Sequence, residues 1–171
     1  MTALRPPRTS DVGPFVAAFQ QEAELAELLG FEVDPSADYM KERLRRHKRV
    51  LREGRSVSFT IAHPGSDEFL GEVLLHTFDW QHARAALGIW VTRDARRGGR
   101  ALDAMRLICD YGFDELALAR IEFTTFPTNR AMVALGEKAG FKVEGTLRSY
   151  TMERGKRRDL LMMSLLPGEL R

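Results

Sequence analysis

Cysteine is nearly absent: Cys109 stands alone in 171 residues. One thiol cannot close an internal disulfide, which suits a reducing compartment. Histidine is scarce too, with four scattered residues, so no metal-ligand spacing can be assembled. No long uncharged apolar run is present, which excludes a helical membrane span. The stretch Met1-Thr2-Ala3-Leu4-Arg5-Pro6-Pro7 has no apolar core of the kind a secretory signal needs. A cytoplasmic, metal-free protein with no membrane partner is the expectation. What is present fits a folded chain: 44% hydrophobic and 29% charged residues exclude intrinsic disorder. The length predicts a single domain over residues 1–171.

The net charge of +2 hides blocks of opposite sign. Between residues 22 and 38 every charged residue is acidic: Glu22, Glu24, Glu27, Glu32, Asp34 and Asp38. Residues 41–52 reverse this with Lys41, Arg43, Arg45, Arg46, Lys48, Arg49 and Arg52, broken only by Glu42. A charge run is most often a solvated face. A basic stretch could also bind nucleic-acid phosphates, with affinity falling steeply in salt. It lacks interleaved aromatics and has an acidic neighbour, so nucleic acid ranks low among the expected partners.

Periodicity predicts the elements. Asp11 reads as an N-cap before apolar Phe15, Val16 and Phe19, and Pro35-Ser36 opens a second helix that runs to Arg52 and stops at Gly54. Residues 56–62 and 69–78 read as a strand hairpin, and residues 83–91 as a third strand. The stripe Leu102, Met105, Cys109, Phe113, Leu116 predicts a long helix. Cys109 lies on that stripe as a buried structural thiol. Residues 120–126 read as a strand, and the next helix carries a core face of Met132, Leu135, Gly136 and Ala139 and ends at Gly140. Residues 142–152 and 158–166 close the chain as strands, and a short strand before the first helix fits as well. The order predicts an α/β (α+β) fold: a mixed, mostly antiparallel central sheet with helices on both faces. Its one parallel pairing falls around residues 83–126, where a helix provides the crossover.

The informative stretch is Val91-Thr92-Arg93-Asp94-Ala95-Arg96-Arg97-Gly98-Gly99-Arg100-Ala101, between strand and long helix. Two glycines let the backbone fold tightly and point several N–H groups into one concavity. The helix start adds unpaired N–H groups and a positive dipole end, and Arg96, Arg97 and Arg100 add full charges. The set suits a pyrophosphate or similar dianion; a Gly-rich turn with solvated arginines is the plain alternative. A dinucleotide fingerprint is rejected, because its third glycine is missing and three antiparallel strands precede the loop.

Arg96-x-x-Gly99-x-Ala101 resembles the R/Q-x-x-G-x-G/A loop of the GNAT N-acetyltransferases. The likeness extends over residues 55–166 through Leu87-Gly88-Ile89-Trp90-Val91, Asn129, Glu137-Lys138-Ala139-Gly140-Phe141, Glu144-Gly145-Thr146-Leu147-Arg148 and Gly155-x-x-x-Asp159. The last features look most like the RimJ/RimL branch, which acetylates N-terminal amines of ribosomal proteins. The resemblance implies a GNAT fold and acetyl-CoA as co-substrate, with the loop between strand 4 and the long helix. It also implies direct transfer to a primary amine without an acyl-enzyme. Ile89, Trp90 and Val91 would pair with the pantetheine arm through backbone groups, and one N–H would stabilise the oxyanion. Arg96, Arg97, Gly98, Gly99, Arg100 and Ala101 would hold the pyrophosphate. Asn129 would hydrogen-bond the pantetheine, unless it is only a helix-start residue. A homodimer is common in such folds, although no stretch marks an interface.

The acid and base depart from the family pattern. Ala86 stands where relatives carry a glutamate, and Met132 and Gly136 stand where they carry a serine or a tyrosine. The reaction needs a base for the protonated amine and an acid for the thiolate. Tyr150 is the candidate acid, with a half-buried strand tyrosine as the plain alternative, and Glu72 the candidate base beside His76, Asp79 and His82, each of which otherwise reads as an ordinary polar residue. Catalysis by proximity with a water-relayed proton is the alternative. The acidic run 22–38 falls where relatives wall the acceptor site, and would attract a cation. The expected acceptor is a protein N-terminus. Polyamines and aminoglycosides are the small-amine alternative, and a non-catalytic acetyl-CoA-binding relative is a third.

Overall fold

The computed structural model describes residues 1–171 apart from 23–24, 30–34 and 154. The strands are β1 (Ala3–Arg5), β2 (Ser56–Ala62), β3 (Phe69–Asp79), β4 (Arg84–Val91), β5 (Arg120–Thr125), β6 (Lys142–Glu153) and β7 (Lys156–Leu165). The helices are α1 (Val12–Gln21), α2 (Leu25–Leu28), α3 (Ala37–Arg52), α4 (Arg100–Asp110) and α5 (Arg130–Ala139). One sheet runs in the order β1-β2-β3-β4-β5-β7-β6. β4 and β5 pair in parallel, as the crossover helix requires, while β1–β2, β5–β7 and β6–β7 are antiparallel. The chain divides into two compact units, Met1–Leu74 with Ile89–Ala104, and Leu75–Gly88 with Met105–Arg171.

In the first unit, the apolar faces of α1 and α3 build an aromatic cluster of Phe15, Phe19, Phe69 and Trp90 over Met40. Trp90 meets Phe15, Phe19 and Phe69 at ring-centroid distances of 5.7, 5.4 and 5.8 Å, mostly edge to face. Ser36 caps α3, its hydroxyl accepting from the Tyr39 N–H at 3.1 Å, and Gly54 follows the helix at φ +62°. Asp11 departs from its expected role. It is helical itself and makes no side-chain cap bond; its carboxylate is buried and accepts from both terminal nitrogens of Arg5, the Arg8 N–H and the Thr60 hydroxyl. Arg5 and Thr60 are far from Asp11 in any helical register, so only the β1–β2 pairing brings this network together.

In the second unit, β5 carries Ile121 and Phe123 into the core against Met163 and Leu165 of β7. Gly136 lets α5 lie close to this layer: a Cβ there would stand 2.7 Å from the Phe123 ring. Gly140 ends α5 in the left-handed conformation at φ +106°, and Phe141 packs on Phe123 of β5 at 5.0 Å. The stripe on α4 is shifted from the expected one. Ala104, Met105, Ile108, Cys109 and Gly112 are buried, while Leu102, Phe113 and Leu116 are only half-buried. A π-turn over Tyr111–Glu115 widens the helix end and turns the later residues out of phase.

Candidate active site

The ladder between β4 and β5 joins Arg84, Ala85 and Ala86 to Arg120, Ile121 and Glu122. The later β4 residues Ile89, Trp90 and Val91 lie outside that register. Strand alternation fixes what each can offer. The Trp90 ring is spent on the aromatic cluster, with 8% of the residue exposed, and Ile89 and Val91 are half-buried. The other edge of this strand end is held to β3, where the Thr92 N–H donates to the Leu70 carbonyl at 2.8 Å. Gly71 makes this approach feasible: a Cβ there would meet the Trp90 carbonyl oxygen at 2.2 Å.

The chain then makes one 3-10 turn, Arg93–Ala95, anchored by buried Ala95, and runs over an exposed bend to α4. Arg97 and Gly99 take positive φ, +68° and +73°, which reverses the backbone before the helix. The Gly99 carbonyl accepts the Asp103 N–H at 3.0 Å, so the N–H groups of Arg100, Ala101 and Leu102 have no intrahelical acceptor. Those amides and the dipole end of α4 sit in one surface turn with Arg96, Arg97 and Arg100. Such a turn suits an anion. One carboxylate already uses it: Arg96 donates to Glu22 at 2.6 Å. Glu22 is the member of the acidic run with this described partner; Glu24, Glu32 and Asp34 lie outside the described residues, as does the side chain of Glu27.

Asn129 is the N-cap of α5, its side-chain oxygen accepting from the Met132 N–H at 3.2 Å. This use occupies the side-chain oxygen and leaves the amide NH₂ as the remaining donor of the side chain. Glu72 is 6% exposed and forms a two-pronged ion pair with Arg43 of α3, one contact at 2.8 Å. Tyr150 is 60% exposed on β6. Beside it the β6–β7 register breaks between Leu147 and Thr151, and the Ser149 N–H donates to Asp159 at 2.7 Å. His82 pairs with Asp79 at 3.0 Å, and Arg84 joins them; the His82 contact is the main reason the Asp79 carboxyl is held below its usual range. Burial lowers the His76 imidazole. Cys109 is fully buried and its thiol is pushed far up by desolvation, which leaves no thiolate for acyl transfer.

Sequence reasoning missed three partners: Arg43 for Glu72, Glu22 for Arg96, and Asp159 for the Ser149 amide. Only Asp159 carried a signal, the Gly155-x-x-x-Asp159 spacing. The other two pairs join residues 29 and 74 positions apart, beyond any local pattern.

A family model described as an acetyltransferase (GNAT) domain matches residues 2–142. The chain is 34% identical over 117 residues to the uncharacterized N-acetyltransferase p20 of Bacillus licheniformis, a match that spans 68% of this chain and 66% of that protein. Among solved structures, Mycobacterium smegmatis RimJ in complex with CoA-disulfide superposes with a TM-score of 0.88 at 27% identity, covering 99% of this chain and 83% of that one. Spermidine N-acetyltransferase from Vibrio cholerae, in complex with CoA and spermine, superposes with a TM-score of 0.84 at 21% identity, over 98% and 96% of the two chains.

Proposed function

The chain belongs to the GNAT acetyltransferase family, and on that premise we propose that it acetylates a primary amine, the N-terminal amine of a protein before any other. The observation that carries this reading is the surface turn of residues 96–101. Its unpaired helix-start amides and three arginines suit the pyrophosphate of acetyl-coenzyme A. The likeness to RimJ supports the protein N-terminus, because it extends to sequence. The likeness to the spermidine enzyme is one of fold.

Acetyl-coenzyme A supplies the thioester, whose carbonyl carbon is attacked by the amine nitrogen as the C–N bond forms, the C–S bond breaks and the thiolate takes up a proton. The backbone of Ile89, Trp90 and Val91 pairs with the pantetheine, and one of its N–H groups stabilises the developing oxyanion, worth about 3 kcal/mol at comparable sites. Arg96, Arg97, Gly98, Gly99, Arg100 and Ala101 hold the pyrophosphate, and the amide NH₂ of Asn129 donates to the pantetheine. Tyr150 carries the acid role, since its hydroxyl is open to an arriving thiolate. Glu72 keeps the base role only where Arg43 releases one of its oxygens; otherwise the amine proton leaves through water. Orientation in the site supplies much of the rate in either case.

The test is thiol release from acetyl-coenzyme A with four amines: a peptide with a free N-terminus, its N-terminally blocked twin, spermidine and an aminoglycoside. Turnover with the free peptide and none with the blocked twin supports the reading. Preferential turnover of spermidine or the aminoglycoside replaces it with small-amine acetylation. Coenzyme A binding without turnover of any amine makes the chain a non-catalytic relative.

A further inference from the structure

Glu22 follows the last turn of α1, its N–H donating to the Phe19 carbonyl at 3.4 Å. Its carboxylate is mostly covered, with 21% of the side chain exposed, and it reaches the first arginine of the co-substrate turn. Arg96 keeps 41% of its side chain exposed. A guanidinium presents its donors in a planar fork that suits carboxylate and phosphate equally well. A carboxylate at 2.6 Å therefore competes with a phosphate for the same donors and repels its charge.

We propose that Glu22 is the resident anion of the co-substrate turn. It occupies Arg96 while no phosphate is present, and the pyrophosphate of the co-substrate takes its place. This rests on the reading of residues 96–101 as the pyrophosphate site. Glu22 then acts as an affinity-setting residue. It keeps the arginine-rich turn neutralised and ordered in the free protein, and it weakens co-substrate binding by the work needed to displace it. Its carboxylate, once released, is no longer neutralised by Arg96 and stands at the start of the acidic run, where a cationic acceptor is expected.

A plain structural strut between the end of α1 and the turn makes the opposite prediction, because loosening the turn would weaken binding. The experiment is calorimetric titration of coenzyme A into the wild type, E22Q, E22A, R96Q and the E22Q/R96Q double variant, at low and at high salt. A half-exposed ion pair of this kind predicts that E22Q binds coenzyme A about two- to fivefold more tightly at low salt. The gain should shrink at high salt, where the charge of Glu22 is screened. It should vanish in the R96Q background, where there is no guanidinium to release. E22A keeps the test available should E22Q fold poorly. Equal or weaker binding by the Glu22 variants, beside a wild type that binds, overturns the proposal. Failure of the wild type to bind overturns the reading of the turn itself, and the proposal with it.

Discussion

Replacing Gly71 by alanine probes the close approach of β3 to the end of β4. Gly71 takes φ +147°, a conformation essentially reserved for glycine, so alanine there carries backbone strain of about 1–3 kcal/mol. The added Cβ would also lie 2.2 Å from the Trp90 carbonyl oxygen and 2.7 Å from the Val91 Cα, well inside the 3.0 Å that real Cβ contacts respect. Both obstacles are backbone, so no flexible side chain can swing away. The strands must separate by nearly an ångström, an overpacking that costs about 1–3 kcal/mol. The sum, about 2–6 kcal/mol, is a large share of a typical folding stability of about 5–15 kcal/mol. For a chain of this size it corresponds to a fall in Tm of about 4–24 °C, readable by circular dichroism. Coenzyme A affinity should fall as well, because the displaced groups are the backbone of Trp90 and Val91. Gly99→Ala is the contrast. Its φ is +73°, yet nothing lies within 4 Å of the added Cβ, so only about 1 kcal/mol of strain is expected. A G71A protein with the wild-type Tm, or one less affected than G99A, would refute the reasoning.

Asp11→Asn should be among the most destabilising single-atom changes in the first unit. It removes the buried carboxylate, 2% exposed, from Arg5 and leaves that guanidinium only the Asp67 carboxylate, a loss of about 1–3 kcal/mol in urea unfolding. Glu144 should impose an acid dependence on stability. Hydrogen bonds from Arg120, then from Ser164, hold its carboxyl at about 2, below the ordinary 4.5. A folded-state value below the unfolded one gives stabilisation that is complete above about pH 4.5 and lost as the pH falls towards 2. E144Q should flatten urea midpoints across that window, and an unchanged slope would mean that this network contributes nothing. Tyr150→Phe should lower kcat about tenfold or more with KM for acetyl-coenzyme A unchanged, if the hydroxyl protonates the thiolate. Glu72→Gln should lower Tm through the broken Arg43 pair; a kcat loss that shows only in its pH profile would give Glu72 the base role.

Elements with strong periodicity were legible at the level of residues. The 56–62 strand matches β2, Ser36 is the cap of α3, and Gly140 closes α5 in the left-handed conformation. Each depends on a local rule that a short stretch can express. Asp11 shows the limit: an aspartate ahead of an apolar run satisfies the capping rule, but the carboxylate is drawn to Arg5 and Thr60 by strand pairing that no local window contains. The α4 stripe shows another, since a π-turn changes the period inside one helix. The exposed turn of residues 96–101 was legible as a turn because glycines, arginines and a helix start coincide within six residues. Its occupant, Glu22, was visible only as part of a charge run.

The orientation of Tyr150 was the least legible, and β6 shows the physical reason. Period-2 alternation assigns faces only while a ladder keeps its register. β6 loses register twice: Val143 pairs with Met163 but Gly145 with Met162, and Leu147 pairs with Leu160 but Thr151 with Arg158. Each bulge re-aims the side chains beyond it, so the face of Tyr150 cannot be counted from Lys142. What fixes that face is Asp159, whose carboxylate takes the Ser149 N–H where the chain turns to φ +55°. Gly155-x-x-x-Asp159 is therefore a conformational device: the glycine, at φ +72°, makes the turn that brings β7 back, and the aspartate pins the bulge four residues later. The spacing is thus a legible mark of the backbone, while the face on which Tyr150 is displayed has to be read from the structure.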